Sequence, residues 1–128
     1  MSKPKLAYLF AVDQAIQDRE SNKYSYIGQF QTININRETG FYYADFSIVG
    51  RVYDISQGEI TARIEILGPD GSIFSKVDLS GTAESNQTHL QGVFNSLKFS
   101  EEGDYIFRFV YKDEVYTVPG NTIKVSMQ

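Results

Sequence analysis

The stretch Ser100-Glu-Glu-Gly-Asp-Tyr-Ile-Phe-Arg-Phe-Val-Tyr111 decides the fold, because aromatic residues recur in it at every second position. An acidic turn that contains a glycine opens the stretch. Successive side chains of a β-strand point to opposite faces, so a period of two places all the rings on one face. The pattern predicts a strand that lays an aromatic face on a core, and the residues of that face are Tyr105, Phe107, Phe109 and Tyr111.

The same alternation recurs along most of the chain, interrupted by turn sequences. It is clearest in Glu59–Leu67 and in a long strand over residues 42–54, whose even-numbered side chains we expect to face the core. Gly68-Pro-Asp-Gly71 favours a hairpin between strands. Turn signals come about every 8–12 residues and no long amphipathic helix appears. Residues 1–128 are therefore predicted to form a single all-β domain, an antiparallel β-sandwich of about eight or nine strands, with a small β-barrel as the alternative.

Three segments before residue 37 are less regular. Leu6–Val12 is apolar on both faces, so either the fold or a second subunit must cover it. Residues 14–20 are polar and are predicted to form a helical turn or two. In Tyr24–Asn36 the apolar phase slips between Phe30 and Ile33, which predicts a β-bulge or a break between two strands, with Gly28 easing the bend.

Composition removes several classes of function. The chain has 128 residues, a net charge of -4 and no cysteine, so catalytic thiols, disulfides and cysteine-based zinc sites are excluded. Acidic balance and dispersed basic residues argue against nucleic acid as a partner. The apolar runs are far shorter than the roughly 18 residues of a membrane helix. No signal-peptide pattern follows Met1, which predicts a cytoplasmic protein if Met1 is the native start.

Glu102-Gly-Asp-Tyr105, which leads into the aromatic strand, resembles the tyrosine corner of immunoglobulin-like sandwiches. In those folds a tyrosine near the start of one strand sends its hydroxyl back to the chain just upstream. The resemblance implies an immunoglobulin-like fold with structural roles for Gly103 and Tyr105. The cysteines and the core tryptophan of antibody domains are absent, so it concerns the architecture and not antibodies.

Most of the chain also resembles a family of small uncharacterised bacterial sandwich proteins. The features that carry this resemblance are structural, and the family has no assigned activity, so no functional residue is transferred from it. They are the apolar first strand ending in Val12-Asp13, the element Tyr26-Ile-Gly-Gln-Phe30, the Gly68-Pro-Asp-Gly71 hairpin, and Leu97-Lys-Phe99 before Gly103-Asp-Tyr105.

The odd-numbered face of the 42–54 strand is the candidate binding surface. Tyr43, Arg51 and Tyr53 are expected to lie outside the core there. Exposed tyrosines beside an arginine are typical of binding surfaces. We favour the alternative that the two tyrosines pack under a loop or beside a neighbouring strand, because isolated exposed aromatic residues are ordinary.

No catalytic or metal site is predicted. His89, the only histidine, could act with Ser85 or Ser96 in a catalytic triad, but no nucleophile elbow supports this, and we expect a surface histidine. The carboxylates of residues 101–104 are expected to be solvated, because calcium needs six to eight oxygen ligands. Neither a cofactor nor a metal ion is expected.

The sequence thus predicts a non-catalytic bacterial protein, a protein-interaction or structural module. The alternative is a carbohydrate- or small-ligand-binding module that uses the face of Tyr43 and Tyr53. The expected partner is another protein or a second copy of the chain. Thr122–Met127 reads as an exposed sheet edge that could pair in a homodimer, and the face of Tyr43 and Tyr53 is the alternative contact.

Overall fold

The computed structural model of the protein describes residues 4–18, 20–21, 23–55, 58–83 and 87–128. These residues form ten β-strands and no helix. In chain order the strands are β1 Lys5–Gln17, β2 Tyr24–Phe30, β3 Thr32–Ile35, β4 Tyr42–Tyr53, β5 Gly58–Leu67, β6 Ile73–Ala83, β7 Gln87–Phe99, β8 Gly103–Tyr111, β9 Glu114–Tyr116 and β10 Thr122–Met127.

The strands form two sheets that pack face to face. The four-stranded sheet has the order β2-β1-β4-β7, and the six-stranded sheet has the order β3-β10-β8-β5-β6, with β9 paired to β8. Every pair is antiparallel except β3 with β10. The predicted all-β sandwich is confirmed, and the barrel alternative is not. The strand count is ten because Tyr24–Asn36 breaks at Gln31 into β2 and β3, which belong to different sheets; this is one of the two outcomes that the phase slip predicted.

The aromatic face of β8 lies in the core, as the alternation predicted. All four of its rings are buried. Tyr105 lies 5.1 Å from Phe99 of β7 and 4.9 Å from Phe74 of β6, measured between ring centroids, so one strand joins both sheets. Burying one such ring contributes about 1.5–3 kcal/mol, which makes this face a large share of the folding free energy.

The turn before β8 has the geometry of a tyrosine corner. The Tyr105 hydroxyl donates a hydrogen bond to the Glu101 carbonyl oxygen at 2.9 Å. Gly103 adopts a φ of 139°, and a Cβ atom there would lie 2.7 Å from the Pro69 ring of the β5–β6 turn. The glycine is therefore required both by its backbone conformation and by the close approach of the neighbouring turn.

Two expectations from the sequence are wrong. Thr122–Met127 is not an exposed edge, because β10 pairs with β3 on one side and with β8 on the other. The described residues of the range 14–20 do not form a helical turn: β1 continues to Gln17, and a turn follows in which the Ser21 hydroxyl donates to the Asp18 carboxylate at 2.7 Å. Pairing with neighbouring strands decides the structure in both places.

Removing the corner hydroxyl is expected to destabilise the fold. In Tyr105→Phe the hydrogen bond to the Glu101 carbonyl is lost, at a cost of about 0.5–1.5 kcal/mol of unfolding free energy. Tyr43→Phe is the matched control, because that hydroxyl is exposed. Urea denaturation of both variants measures the difference, and equal midpoints would contradict the role of the corner.

Candidate functional site

The β1–β2 hairpin leaves its sheet after Val12. Up to Val12, which pairs with Ser47, β1 lies beside β4; beyond it, β1 pairs only with β2. Tyr26 of β2 is opposite Ala15, seven residues past Tyr8, which is about 23 Å along a straight strand. The hydroxyls of Tyr8 and Tyr26 nevertheless lie 3.1 Å apart. The far end of the hairpin, residues 13–17 and 24–28, therefore curls back across the outer face of the sheet; we refer to it as the arm.

The arm covers the side of the four-stranded sheet that faces away from the core. Val12 of β1 and Val49 of β4 point to that outer side, yet both are 0% exposed. Such burial requires a covering element, and the arm supplies it. The fold itself therefore covers the strand whose two faces are both apolar, and a second subunit is not needed for that purpose.

An aromatic cluster fills the space between arm and sheet. The Tyr24 ring stacks on His89 of β7 with centroids 3.6 Å apart, and Tyr26 lies 5.8 Å from the same imidazole. Tyr26 also meets Phe10 edge to face at 5.4 Å. Stacked and edge-to-face ring pairs of this kind hold the arm on the sheet.

His89 is neutral in this cluster. Burial, and then the neighbouring positive charge of Arg51, lower the pKa of His89 from 6.5 to about 4. Its Nε2 atom is buried and has no hydrogen-bond partner among the described residues. The prediction of a surface histidine is wrong, because the sequence did not show that the arm would fold over β7. Ser85, one of its two suggested catalytic partners, lies outside the described residues.

Arg51 belongs to the same cluster. It is opposite His89 in the β4–β7 pairing. A hydrogen bond with Tyr8 raises the pKa of Arg51, and its Nη1 atom donates to Gln87 Oε1 at 3.4 Å. Burial, and then the hydrogen bond with Tyr8, raise the pKa of Tyr26. The cluster is thus a packed group of neutral rings around one permanent cation, which favours a structural role over a catalytic one.

The structure does not bring Tyr43, Arg51 and Tyr53 together. Tyr43 is 55% exposed and Tyr53 is 40% exposed, but they occupy opposite ends of β4, about 33 Å apart along the strand. Arg51 lies in the cluster beside the arm. The three residues share one face of one strand without forming one surface.

A different aromatic surface lies where β4 begins, and we call it the aromatic end. Phe41, Tyr42 and Tyr43 are consecutive and all exposed. Phe41 meets Tyr43 edge to face at 5.3 Å, and the Lys98 ammonium lies 4.9 Å from the centroid of the Phe41 ring. The sequence indicated only Tyr43 here; the run of three aromatic residues after Gly40 was the available signal for the others.

Tyr42 also lines a cleft of about 250 Å³ beside the aromatic end. The cleft opens where β1 departs from β4, and β3 of the other sheet forms its far wall. Its lining residues come from four strands: Asp13, Phe30, Thr32, Ile33, Asn34, Tyr42, Ala44 and Asp45.

The outer face of the six-stranded sheet carries a buried carboxylate whose two oxygens are both hydrogen-bonded. Glu65 is 1% exposed, and its two oxygens accept hydrogen bonds from Arg63 Nε at 2.6 Å and Arg108 Nε at 2.8 Å. Burial alone would raise the pKa of Glu65, but the two arginines outweigh it and the pKa is lowered. Removing either arginine would leave a buried charge short of a partner, so we read the group as structural.

Metal ligands do not gather in the described part of the chain, where no group of three or more histidine or acidic residues is placed to hold an ion. Nor do the described residues include a helix long and apolar enough to cross a membrane.

Comparison with known proteins gives only distant likenesses. No protein-family model and no curated protein matches the chain. An immunoglobulin-like protein from Pseudomonas aeruginosa is similar in structure, with a TM-score of 0.49 and 9% identity over 97% of each chain. The CARDB domain of a Pyrococcus furiosus protein, solved in complex with di-metal ions, is similar with a TM-score of 0.46 and 10% identity, covering 98% of this chain and 96% of that one. The first is described as immunoglobulin-like, as the sequence resemblance implies. At this level of similarity neither protein indicates a function.

Removing the ring that covers His89 is expected to restore the basicity of the imidazole. In Tyr24→Ala, water reaches the ring and the pKa of His89 should rise from about 4 toward 6.5. A nuclear magnetic resonance titration of the imidazole protons measures it, with Tyr43→Ala as the control. An unchanged pKa would show that the arm does not cover His89.

The cluster should also make stability depend on pH. Because the pKa of His89 is about 4 in the folded protein and 6.5 when unperturbed, the stability present above pH 6.5 is lost as the pH falls toward 4. His89→Phe keeps the stacking on Tyr24 and removes the titration. The urea midpoint should therefore decrease more between pH 7.5 and pH 4 in the wild type than in the variant. Equal decreases would contradict the proposed environment of His89.

Proposed function

We propose that the protein is a non-catalytic interaction module that binds another protein at its aromatic end. The observation that carries the proposal is the exposure of three consecutive aromatic residues, 39% for Phe41, 48% for Tyr42 and 55% for Tyr43. Aromatic side chains dominate the contacts that supply most of the affinity in protein interfaces. Isolated exposed rings are ordinary on protein surfaces, but Phe41 and Tyr43 meet edge to face here, and the exposed Tyr42 lines the neighbouring cleft.

The geometry around His89 supports a role without catalysis. A general base needs hydrogen-bond reach to a nucleophile and a pKa near the working pH. The Nε2 atom of His89 is buried without a partner among the described residues, and its pKa of about 4 is far from neutral. Ser96 lies elsewhere on β7, where its backbone N–H donates to Asp45 at 2.6 Å.

A carbohydrate- or small-ligand-binding module is the second candidate, and the cleft is the observation that favours it. Tyr42 and Phe30 supply rings there, and Asn34 and Asp45 supply polar groups. Tyr43 and Tyr53 do not form the common platform that the sequence suggested, because they stand at opposite ends of β4. The cleft is also flanked by unpaired strand edges, which suit a peptide better than a sugar.

A photo-crosslinking experiment tests the proposed surface. The photoreactive residue p-benzoylphenylalanine is placed at position 43, where it replaces one aromatic ring by another, and the purified protein is irradiated in cell extract. We expect a discrete crosslinked protein that disappears when unlabelled wild-type protein is added in excess. Excess Phe41→Ser/Tyr43→Ser protein should compete about tenfold less well, which corresponds to about 1.4 kcal/mol of lost binding.

The control places the same photoreactive residue at Ile106, which is 42% exposed on the other sheet. Equal crosslinking from both positions, or none from position 43, would refute the proposed surface. Binding to defined glycans on an array, abolished by Tyr42→Ala, would favour the second candidate instead.

A further inference from the structure

We propose that the cleft between β3 and β4 binds an extended segment of a partner protein, whose lysine or arginine side chain binds the carboxylate of Asp13. The inference rests on the proposed function and specifies the partner. It follows from three features of the cleft, which are its strand edges, its charge and the way that Asp13 is held.

The first feature is a pair of strand edges without neighbours. The Lys124 N–H donates to the Gln31 carbonyl at 2.8 Å, and the Gln128 N–H donates to the Ile35 carbonyl at 2.9 Å. Backbone groups alternate in direction along a strand, so those of Thr32 and Asn34 face away from β10. Both residues line the cleft, and none of the described strands pairs with that side of β3.

The part of β4 that lines the cleft also has an unpaired edge. β1 pairs with β4 only as far as Ser47, so residues 42–46 have β7 on one side and no described strand on the other. An extended peptide adds to such an edge through main-chain hydrogen bonds, and its alternate side chains fill pockets. The departure of the arm thus creates a place for an incoming strand.

The second feature is the charge of the cleft. Its described lining residues include two carboxylates, Asp13 and Asp45, two aromatic rings and no basic side chain. A cation with an apolar stem matches this lining, because carboxylates bind the charged head while rings contact the stem and attract the charge. Two carboxylates are too few for a bare calcium ion, which needs six to eight oxygen ligands.

The third feature is that the Asp13 carboxylate is held in place. Asp45 also lines the cleft, but its Oδ1 atom accepts the backbone N–H of Ser96 at 2.6 Å, at a bulge in β7, so its carboxylate is bound on the other side of β4. The Asp13 side chain lies against Gly28, which has a φ of 74° and no Cβ atom to displace it. Groups that are positioned before binding lose less entropy when a ligand arrives.

Peptide titration of the full chain tests this proposal. The probe is a short peptide of alternating threonine and valine with one central lysine, and its matched forms carry norleucine or glutamate at the centre. Backbone amide shifts are followed by nuclear magnetic resonance. We expect saturable changes confined to residues 32–34 and 42–46, with binding about tenfold weaker for the norleucine form, the loss expected for one charge-assisted hydrogen bond.

Protein variants separate the cleft from the rest of the surface. Asp13→Asn keeps a side-chain oxygen as an acceptor and should also weaken binding of the lysine peptide about tenfold. Asp104→Asn, an exposed change on the six-stranded sheet, should leave binding unchanged. The proposal is overturned if the lysine form does not bind, if the norleucine form binds equally well, or if the shifts appear at another edge such as β6. A crosslink from position 43 that persists in such a case would leave the proposed function standing without this inference.

Discussion

The structure depends on one constraint, which is that β1 is apolar on both faces and each face must be buried by another part of the protein. The inner face of β1 lies on the common core through Leu9 and Ala11. Its outer face carries Tyr8, Phe10 and Val12 and would otherwise meet water. The hairpin solves this by leaving the sheet after Val12 and folding back as the arm. Hydrophobic burial drives the curl, and the free energy gained is of the order of 25 cal/mol for each Å² removed from water.

Two consequences follow from the curl. On the covered side, Tyr24 and Tyr26 enclose His89 and keep the imidazole neutral beside the cation of Arg51. Where the arm has left the sheet, residues 42–46 of β4 have no β1 residues beside them, and the cleft opens between this part of β4 and the edge of β3. The bend of the hairpin therefore produces both the closed aromatic cluster and the open polar cleft on the same sheet. The closed cluster stabilises the arm, and the open cleft lies next to the exposed rings of the aromatic end.

Unpaired strand edges are a hazard that this fold limits elsewhere. β7 is an edge strand, and the bulge at Ser96, tied to Asp45, interrupts its regular ladder. β10, which the sequence predicted to be an edge strand, lies between β3 and β8. The edges that remain free around the cleft are flanked by carboxylates, which discourage pairing with a second acidic chain and admit a basic segment. The free edges and the carboxylates beside them are the physical reason for proposing a specific basic partner segment and not general association through the strand edges.

The sequence by itself determined the all-β architecture, the aromatic face of β8, the turn at Gly68–Gly71 and an irregularity near Gln31. These features are local: they arise from a period of two, from turn chemistry and from a phase slip, and each can be read within about ten residues. The separation of Tyr43 and Tyr53 also follows from the sequence, because ten residues of one strand span about 33 Å. The structure placed His89 under the arm, and that arrangement is not visible in the local pattern. Contacts such as Tyr24 with His89 join residues 65 positions apart, and they depend on which way a hairpin bends once it leaves its sheet. Only the tertiary structure decides that direction, because it is set by the apolar surface that remains to be covered after the sheets have formed.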